Sequence, residues 1–211
     1  MKHLLSGILC LATVFAVHAD YRIVYLNQSP IVINGKSLKL GDTFAGQSRT
    51  DIRWNSQRQA MKVVDTDTGI QSLIVAEKYG KSKAKNLGEF IAQTRHLSAR
   101  DGAPDNVVAL NTLLSDRFYF TDSLTIATGF ETDKDRFFYI SYRYGGEDIN
   151  KMIPNDNGAF TITGDIFTID GKSIPPFETT LAVYYLDQLA GKVTLVTDQM
   201  WISLLNDTDS E

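Results

Sequence analysis

The sequence is poor in the side chains that carry out most metal, thiol and proton-transfer chemistry at neutral pH. Among its 211 residues there are one cysteine, Cys10, and three histidines, His3, His18 and His96. All of these except His96 lie within the first 19 residues, a segment with the pattern of an export signal. Once that segment is removed, the chain can form no intramolecular disulfide, has no cysteine nucleophile and has too few histidines for a multi-histidine zinc site.

The first 19 residues carry the three parts of a cleavable export signal. Lys2 supplies a positive charge, residues 4–17 form a mostly apolar run, and residues 17–19 form a small-residue cleavage site. An uncleaved membrane anchor is one alternative, although about 14 apolar residues fall short of the roughly 20 that span a bilayer. A lipid anchor on Cys10 is another alternative, which the bulky residue before it disfavours. We therefore predict a signal peptide cleaved after Ala19.

Long apolar runs and positive charge are also scarce in the rest of the chain. No apolar run beyond the signal approaches spanning length, so we predict no transmembrane segment there. Because Lys2 is the only charged residue of the signal, the remainder has 20 Lys and Arg against 25 Asp and Glu, a net charge of −5. This charge is unfavourable for nucleic acid, which we exclude as a partner. An exported chain without disulfides indicates the periplasm or cell surface of a Gram-negative bacterium.

Residues 20–100 are predicted to form a small β-rich module. Asn34-Gly35 lies between two short strand-like runs, the pattern of a type I′ hairpin turn. Residues 61–76 predict a second hairpin, with Gly69 ending its turn. The module is therefore expected to contain a small set of strands joined by tight turns.

Helical signals follow these hairpins. Asn86 and, three residues later, Glu89 form a capping-box pattern, with apolar residues at helical spacing behind it. We predict a helix over residues 87–97 that packs on the nearby strands, because so short a helix is unstable alone. Residues 101–117 are predicted to be a linker; within it, residues 107–114 suit either a short helix or a strand, and we favour the helix.

The last part of the chain is rich in aromatic residues and short strands. Residues 118–205 hold 15 of the 22 Phe, Trp and Tyr residues, and turn signals such as Asp170-Gly171 separate the strands. This spacing is typical of an antiparallel immunoglobulin-like β-sandwich, so the predicted fold class is mainly β with one or two short helices. Residues 206–211 form an acidic tail. The predicted strands cover residues 123–130, 136–144, 147–153, 159–163, 166–169, 179–186, 192–197 and 200–205.

No catalytic constellation is visible in the sequence. His96 lies near the end of the predicted helix, where a positive charge interacts favourably with the helix dipole. The sequence has no G-x-S-x-G turn, so a serine hydrolase that uses His96 is disfavoured. The acidic loop that begins at Asp65 has Ile70 and Ala76 at the positions where an EF-hand has its sixth-position glycine and twelfth-position glutamate. We predict no catalytic residue, no metal site and no cofactor. A glycan-directed hydrolase with two carboxylates is the alternative, and its candidate acids are Glu77, Glu89, Glu131, Glu147 and Glu178.

The strand of residues 136–144 is the strongest candidate for a binding surface. Side chains alternate across a strand, so Phe138, Ile140, Tyr142 and Tyr144 are expected to face the core. The residues between them are expected on the outer face. Either the first module or the helix covers this face, or the face is a docking surface for another protein or a glycan. The predicted binding residues are Phe137, Tyr139, Arg143 and Tyr184.

A run of lysines before the predicted helix is a second candidate surface. Solvated lysines are the ordinary interpretation, and attraction of an acidic glycan or lipid headgroup is the alternative. The candidate residues are Lys78, Lys81, Lys83 and Lys85.

Several segments are similar to one group of proteins. These are the hairpin N-G-K-S-L-K-L-G-D-T-F, residues 54–62, and the later runs R-F-F-Y-I-S-Y and I-D-G-K-S-I-P-P-F. Together with the signal they resemble uncharacterised exported proteins of anaerobic gut-type Gram-negative bacteria. The resemblance implies an envelope location and transfers no functional residue.

The sequence therefore predicts an exported, non-catalytic protein that binds or scaffolds a partner in the cell envelope. The expected partner is another envelope protein or a glycan. The carboxylate-dependent hydrolase and a subunit of a surface fibre remain as alternatives; a fibre subunit would have an unpaired edge strand available for strand addition.

Overall fold

The computed structural model describes residues 20–46, 50–84, 86–95 and 103–205. Strands hold 50% of the described residues and helices 14%, so the predicted mainly β class is confirmed. Within the described residues, no helix combines the length and the apolar character needed to cross a membrane. The predicted signal peptide, His96, Lys85 and the acidic tail lie outside these residues.

The first module contains two antiparallel sheets. One has four strands in the order β4-β1-β6-β7 and the other has three in the order β3-β2-β5. Buried side chains between them include Ile23, Ile31, Met61 and Ile74, each less than 2% exposed. The strands are β1 (Asp20–Leu26), β2 (Ile31–Ile33), β3 (Lys36–Leu38), β4 (Thr43–Ala45), β5 (Ile52–Arg53), β6 (Ala60–Asp65) and β7 (Gln71–Val75).

Both predicted hairpins of this module are present. Asn34 and Gly35 have φ values of 50° and 77°, the left-handed backbone that a type I′ turn requires at both central positions. In the second hairpin the Asp65 carboxylate accepts hydrogen bonds from the N–H groups of Asp67 and Thr68, at 3.0 and 2.9 Å. The acidic residue of this loop therefore stabilises the turn itself.

Three helices occur in the described residues: α1 (Ala76–Lys81), α2 (Leu87–Arg95) and α3 (Val107–Leu114). The predicted cap of α2 is confirmed, because the Asn86 side chain accepts from the N–H of Glu89 at 2.9 Å. Its apolar residues Leu87, Phe90 and Ile91 are buried in the first module. Helix α1, whose six residues follow β7 directly, was not predicted from the sequence.

The second module has a five-stranded sheet, in the order β11-β10-β16-β17-β8, facing a three-stranded sheet, in the order β12-β13-β9. All pairs are antiparallel except β17 with β8. The strands are β8 (Arg117–Phe120), β9 (Ser123–Ala127), β10 (Arg136–Tyr144), β11 (Glu147–Met152), β12 (Asn155–Asp156), β13 (Ala159–Thr163), β16 (Thr179–Asp187) and β17 (Lys192–Leu204), with a small hairpin of β14 (Thr168–Ile169) and β15 (Lys172–Ser173).

This arrangement is the immunoglobulin-like sandwich expected from the sequence. Three of the strand pairs have the order found in immunoglobulin-like sandwiches: β9 pairs with β13, β10 pairs with β16, and β16 pairs with β17. The core between the sheets contains Phe138, Phe160, Leu181 and Ile202, all fully buried.

The structure corrects three details of the predicted strands. The short strand β8 was missed, although it joins the sheet edge in parallel with the end of β17. Ile166 and Phe167 belong to a 3-10 helix, Gly164–Phe167, whose buried side chains close one end of the core. The two predicted final strands are one long strand, because β17 continues through an irregularity in its pairing with β16.

The short helix in the predicted linker packs onto the second module. Leu110 and Leu114 are fully buried in the sandwich core. The Asn111 side chain donates to the carbonyl of Val196 at 2.7 Å, so the helix is hydrogen-bonded to β17.

The two modules meet at a contact that we call the junction. Its buried centre contains Tyr25, Ala60 and Val75 of the first module and Tyr119 of the second, with Trp201 packed against them. Ion pairs that cross between the modules surround this centre; they join Lys62 to Asp122, Lys78 to Asp116, Arg117 to Glu77 and Arg58 to Glu178.

Candidate functional site

The predicted binding residues lie on the outer face of the five-stranded sheet. Cross-strand pairing places Tyr139 beside Met152 on one side and Tyr184 on the other, and Tyr184 beside Leu195. These four side chains form a row across β11, β10, β16 and β17, which we call the outer row. Met152 and Leu195, at its ends, are 77% and 47% exposed. The sheet therefore presents an apolar stripe to solvent.

A second, shorter row runs beside the outer row. Phe137 pairs with Leu186, and Leu186 with Val193, which is 54% exposed. Because neighbouring positions two residues apart share a face, both rows form one surface. Large contiguous apolar patches on protein surfaces often mark interaction sites, so this face is a candidate interaction site.

The two tyrosines of the outer row are stacked on each other. The ring centroids of Tyr139 and Tyr184 are 5.0 Å apart and their planes differ by 9°. Partial burial raises the pKa of the Tyr139 hydroxyl, and the neighbouring Tyr184 makes a smaller contribution in the same direction. One ring face of each tyrosine is thus covered by the other tyrosine.

Arg143 lies at the end of the same face, where β10 turns into β11. It is exposed, and its guanidinium donates to the carbonyl of Gly146 at 3.2 Å. Its cross-strand neighbour is Asp148, so the polar rim of the surface carries both signs of charge. The prediction grouped Tyr144 with the core residues of this strand, but Tyr144 is 39% exposed because it lies beyond the facing sheet, against Phe177.

Met152, Leu195 and Val193 were not predicted as members of this surface. Alternation within each strand indicates which residues share a face, but only the register between strands shows which rows they complete. Tyr184 and Tyr185 face opposite sides of the sheet, because the Tyr185 ring packs on Phe130 and Phe138 in the core.

The lysine segment is partly neutralised by its own neighbours. Lys78 contacts the Asp116 carboxylate at 2.6 Å, and Lys81 pairs with Glu77 one helical turn earlier. Lys83 is exposed, and Lys85 lies outside the described residues. Two of the four positive charges are therefore engaged in ion pairs, which weakens the attraction of this segment for an anionic partner.

Glu77 is the most strongly perturbed carboxyl group in the described chain. Its side chain, 12% exposed, accepts hydrogen bonds from Lys81 and the Tyr119 hydroxyl, and Arg117 lies at 3.3 Å. These hydrogen bonds, with the positive charges of Arg117 and Lys81, lower the pKa of Glu77 from 4.5 to about 2. Arg117 also covers the Trp201 ring, 3.9 Å from its centroid. A carboxylate held this firmly in its ionised form cannot act as a general acid near neutral pH.

Other acids are also held in ion pairs. Arg136 donates to Asp133 at 2.6 Å and pairs with Glu131, while Glu178 pairs with Arg58 at the junction. Burial acts to raise the pKa of Asp116, but hydrogen bonds from Lys78 and from the N–H of Arg117 outweigh it, and the pKa is lowered. Within residues 20–46, 50–84, 86–95 and 103–205, no group of three His, Cys, Asp or Glu side chains could hold a metal ion. The ion pairs that Arg136 and Arg58 form with these acids are therefore interpreted as structural.

A cleft of about 430 Å³ lies between the modules. Three consecutive residues of β7, Gln71 to Leu73, and three consecutive residues of β9, Ser123 to Thr125, line it. The ion pair of Lys62 with Asp122, at 2.6 Å, borders it, and a neighbouring depression shares both residues. Hydroxyl and amide side chains line the cleft together with two half-buried leucines, Leu73 and Leu124, and the aromatic residues Tyr119 and Phe120.

Comparison with known proteins adds no assignment. The chain matches no protein-family model, and no curated protein matches it.

Proposed function

We propose that this protein is a non-catalytic binding module of the bacterial cell envelope that docks onto a partner protein through the outer face of its five-stranded sheet. The observation that carries the proposal is the outer row of Met152, Tyr139, Tyr184 and Leu195. Four adjacent strands contribute one apolar or aromatic side chain each, and both ends of the row are open to solvent. The envelope location rests on the predicted signal peptide.

The composition of the face supports an interface. Aromatic residues, Met and Arg are enriched in protein interfaces, and this surface has Phe137, Tyr139, Tyr184, Met152 and Arg143. The polar rim at the β10–β11 turn and the apolar centre follow the usual division between the rim and the core of an interface. The sheet also holds these side chains on rigid strands, so little conformational entropy is lost on binding.

The stacking of the tyrosines favours a protein over a glycan. A sugar ring packs on an open aromatic face, whereas Tyr139 and Tyr184 cover one face of each other. A tyrosine combines an apolar ring with a hydroxyl group, and this combination suits the mixed apolar and hydrogen-bonding surface of another protein.

Site-specific photo-crosslinking tests the proposal. A photoreactive amino acid is placed at Met152 or at Leu195 in the full chain, and the intact cells are irradiated. We expect a discrete adduct of one protein partner from both positions. The matched control is Leu40, which is 61% exposed but lies in the first module, away from the proposed surface.

A second variant makes the crosslinking experiment able to refute the proposal. Combining the probe at Leu195 with Tyr139→Ala should abolish the adduct, because the central aromatic contact is removed while the probe stays in place. Adducts of equal yield from Leu40 and Leu195, or no protein adduct from either outer-row position, would refute docking through this face. Mass spectrometry of the adducts distinguishes a protein partner from a glycan.

A further inference from the structure

We propose that the cleft between the modules binds an extended segment of a partner polypeptide, which adds as a β-strand between β7 and β9. This inference concerns a different surface from the outer face and does not depend on it. It rests on three observations: two sheet edges border one cleft, both edges lack the usual protection, and the floor and rim have the chemistry of a peptide groove.

The two strands that border the cleft are both edge strands. β7 is the last strand of the four-stranded sheet, and β9 is the last strand of the three-stranded sheet. The first three residues of each strand, 71–73 and 123–125, line the cleft. An edge strand leaves the backbone N–H and C=O groups of one side without a partner strand, so both strands can offer such groups to a segment that enters the cleft.

These two edges differ from the other edges of the described sheets. Edge strands are normally protected by short length, charge or proline. β4 and β12 have three and two residues, and β11 carries Glu147, Asp148 and Lys151. β7 (QSLIV) and β9 (SLTIA) are each five residues long and contain neither charge nor proline. A charge-free edge beside a second charge-free edge is suited to pairing with another strand.

The walls of the cleft indicate the kind of segment that fits. Leu73 and Leu124 supply half-buried apolar surface, and Ser72, Ser123 and Thr125 supply hydroxyl groups. The Lys62–Asp122 pair already satisfies the charges at the border. The ligand is therefore an uncharged, extended peptide in which apolar residues alternate with small polar residues, and backbone hydrogen bonds give most of the affinity.

Selection of peptides followed by hydrogen exchange tests this proposal. A phage library of random peptides about ten residues long, enough to span a five-residue strand, is selected against the full chain. The best peptide is synthesised and its effect on amide exchange is measured. We expect slower exchange in both residues 71–75 and residues 123–127, with the β2–β3 hairpin unchanged.

An added charge on the edge should remove this binding. Thr125→Lys places a lysine in the middle of β9, where it should weaken peptide affinity by about tenfold or more because charged edges resist strand addition. Ser37→Lys is the matched control, since Ser37 is exposed in the middle of the edge strand β3. Thermal unfolding of both variants verifies that they remain folded.

Each other outcome overturns the proposal in a defined way. Failure to select any peptide, protection of only one edge, or equal loss of affinity in both lysine variants contradicts strand addition between β7 and β9. Protection that is present without peptide and is lost when residues 206–211 are deleted assigns the cleft to the chain's own tail. Protection that grows with protein concentration alone assigns it to a second copy.

Discussion

The core of the second module and the junction between the modules are two internal contacts built from opposite chemistry. In the core, Phe138 is fully buried among Phe130, Phe160 and Tyr185, with ring centroids 4.9 to 5.7 Å away. At the junction, a small apolar centre is surrounded by ion pairs that cross from one module to the other. The first contact depends on packing alone, whereas the second adds ion pairs to a smaller apolar centre.

This difference determines how each contact responds to its surroundings. Burial of apolar rings gives a stabilisation that is independent of pH and weakly dependent on salt. Paired carboxylates stabilise only while they are ionised, and exposed pairs are screened by salt. We therefore expect the core to hold the sandwich together under all mild conditions and the junction to weaken in acid.

The largest effect is expected in the core. Phe138→Ala should lower the free energy of unfolding by about 3–5 kcal/mol, because a fully buried ring is replaced by a cavity. Urea denaturation measures this change. Phe137→Ala on the same strand is the control, since Phe137 faces outward and is only half-buried; it should cost about 1 kcal/mol or less. Equal losses for both variants would contradict the assignment of inner and outer faces.

An intermediate effect is expected at the junction. Glu77→Gln removes the charge that Lys81, Arg117 and Tyr119 face, and should cost about 1–3 kcal/mol at neutral pH. The folded-state pKa of Glu77 is lowered, so its contribution is fully present above about 4.5, the value in the unfolded chain. It is lost as the pH falls toward about 2.

The pH series therefore distinguishes the two contacts. Urea denaturation of the wild type and Glu77→Gln should give stabilities that converge between pH 4.5 and about 2. The difference between wild type and Phe138→Ala should stay constant over the same range. Glu147→Gln is the control for an exposed carboxyl group. A Glu77→Gln deficit that persists undiminished at the lowest pH would show that its carboxylate charge is not what stabilises the junction.

The smallest effect is expected at the border of the cleft. Asp122 is 80% exposed at its side chain, and hydrogen bonds from Lys62 and Thr121 lower its pKa. Asp122→Asn should cost less than about 1 kcal/mol, because exposed ion pairs contribute little. The cost should fall further when salt is raised to about 1 M, where the Debye length is about 3 Å. A salt-independent loss comparable with that of Glu77→Gln would place this pair in the stabilising part of the junction.

Local features of the fold were predictable from short stretches of sequence. Asn34-Gly35 adopts its turn because both residues tolerate positive φ, and Asn86 caps α2 through contacts three residues away. The bounds of β10 and β13 agree with the predicted strands, since alternation and turn signals flank them. By contrast β8 was missed, because a four-residue strand at a sheet edge is stabilised by its partner β17 and not by its own pattern.

The candidate sites were less predictable. Phe137, Tyr139 and Tyr184 could be placed on a common outer face, but Met152 and Leu195 join them only through the register of β11 and β17. The lysine segment suggested a positive patch, and the fold supplies Asp116 and Glu77 as partners for two of its charges. The cleft could not be predicted, since its walls come from two sheets about 50 residues apart in the chain.

The sequence by itself determined the mainly β class, the hairpin turns and the cap of α2. These follow from interactions between residues that are close along the chain, which a pattern can encode. Only the tertiary structure decided the register of the outer row, the ion pairs of the junction and the meeting of the β7 and β9 edges. Each of these depends on contacts between distant segments, whose positions are set by the packing of the whole chain.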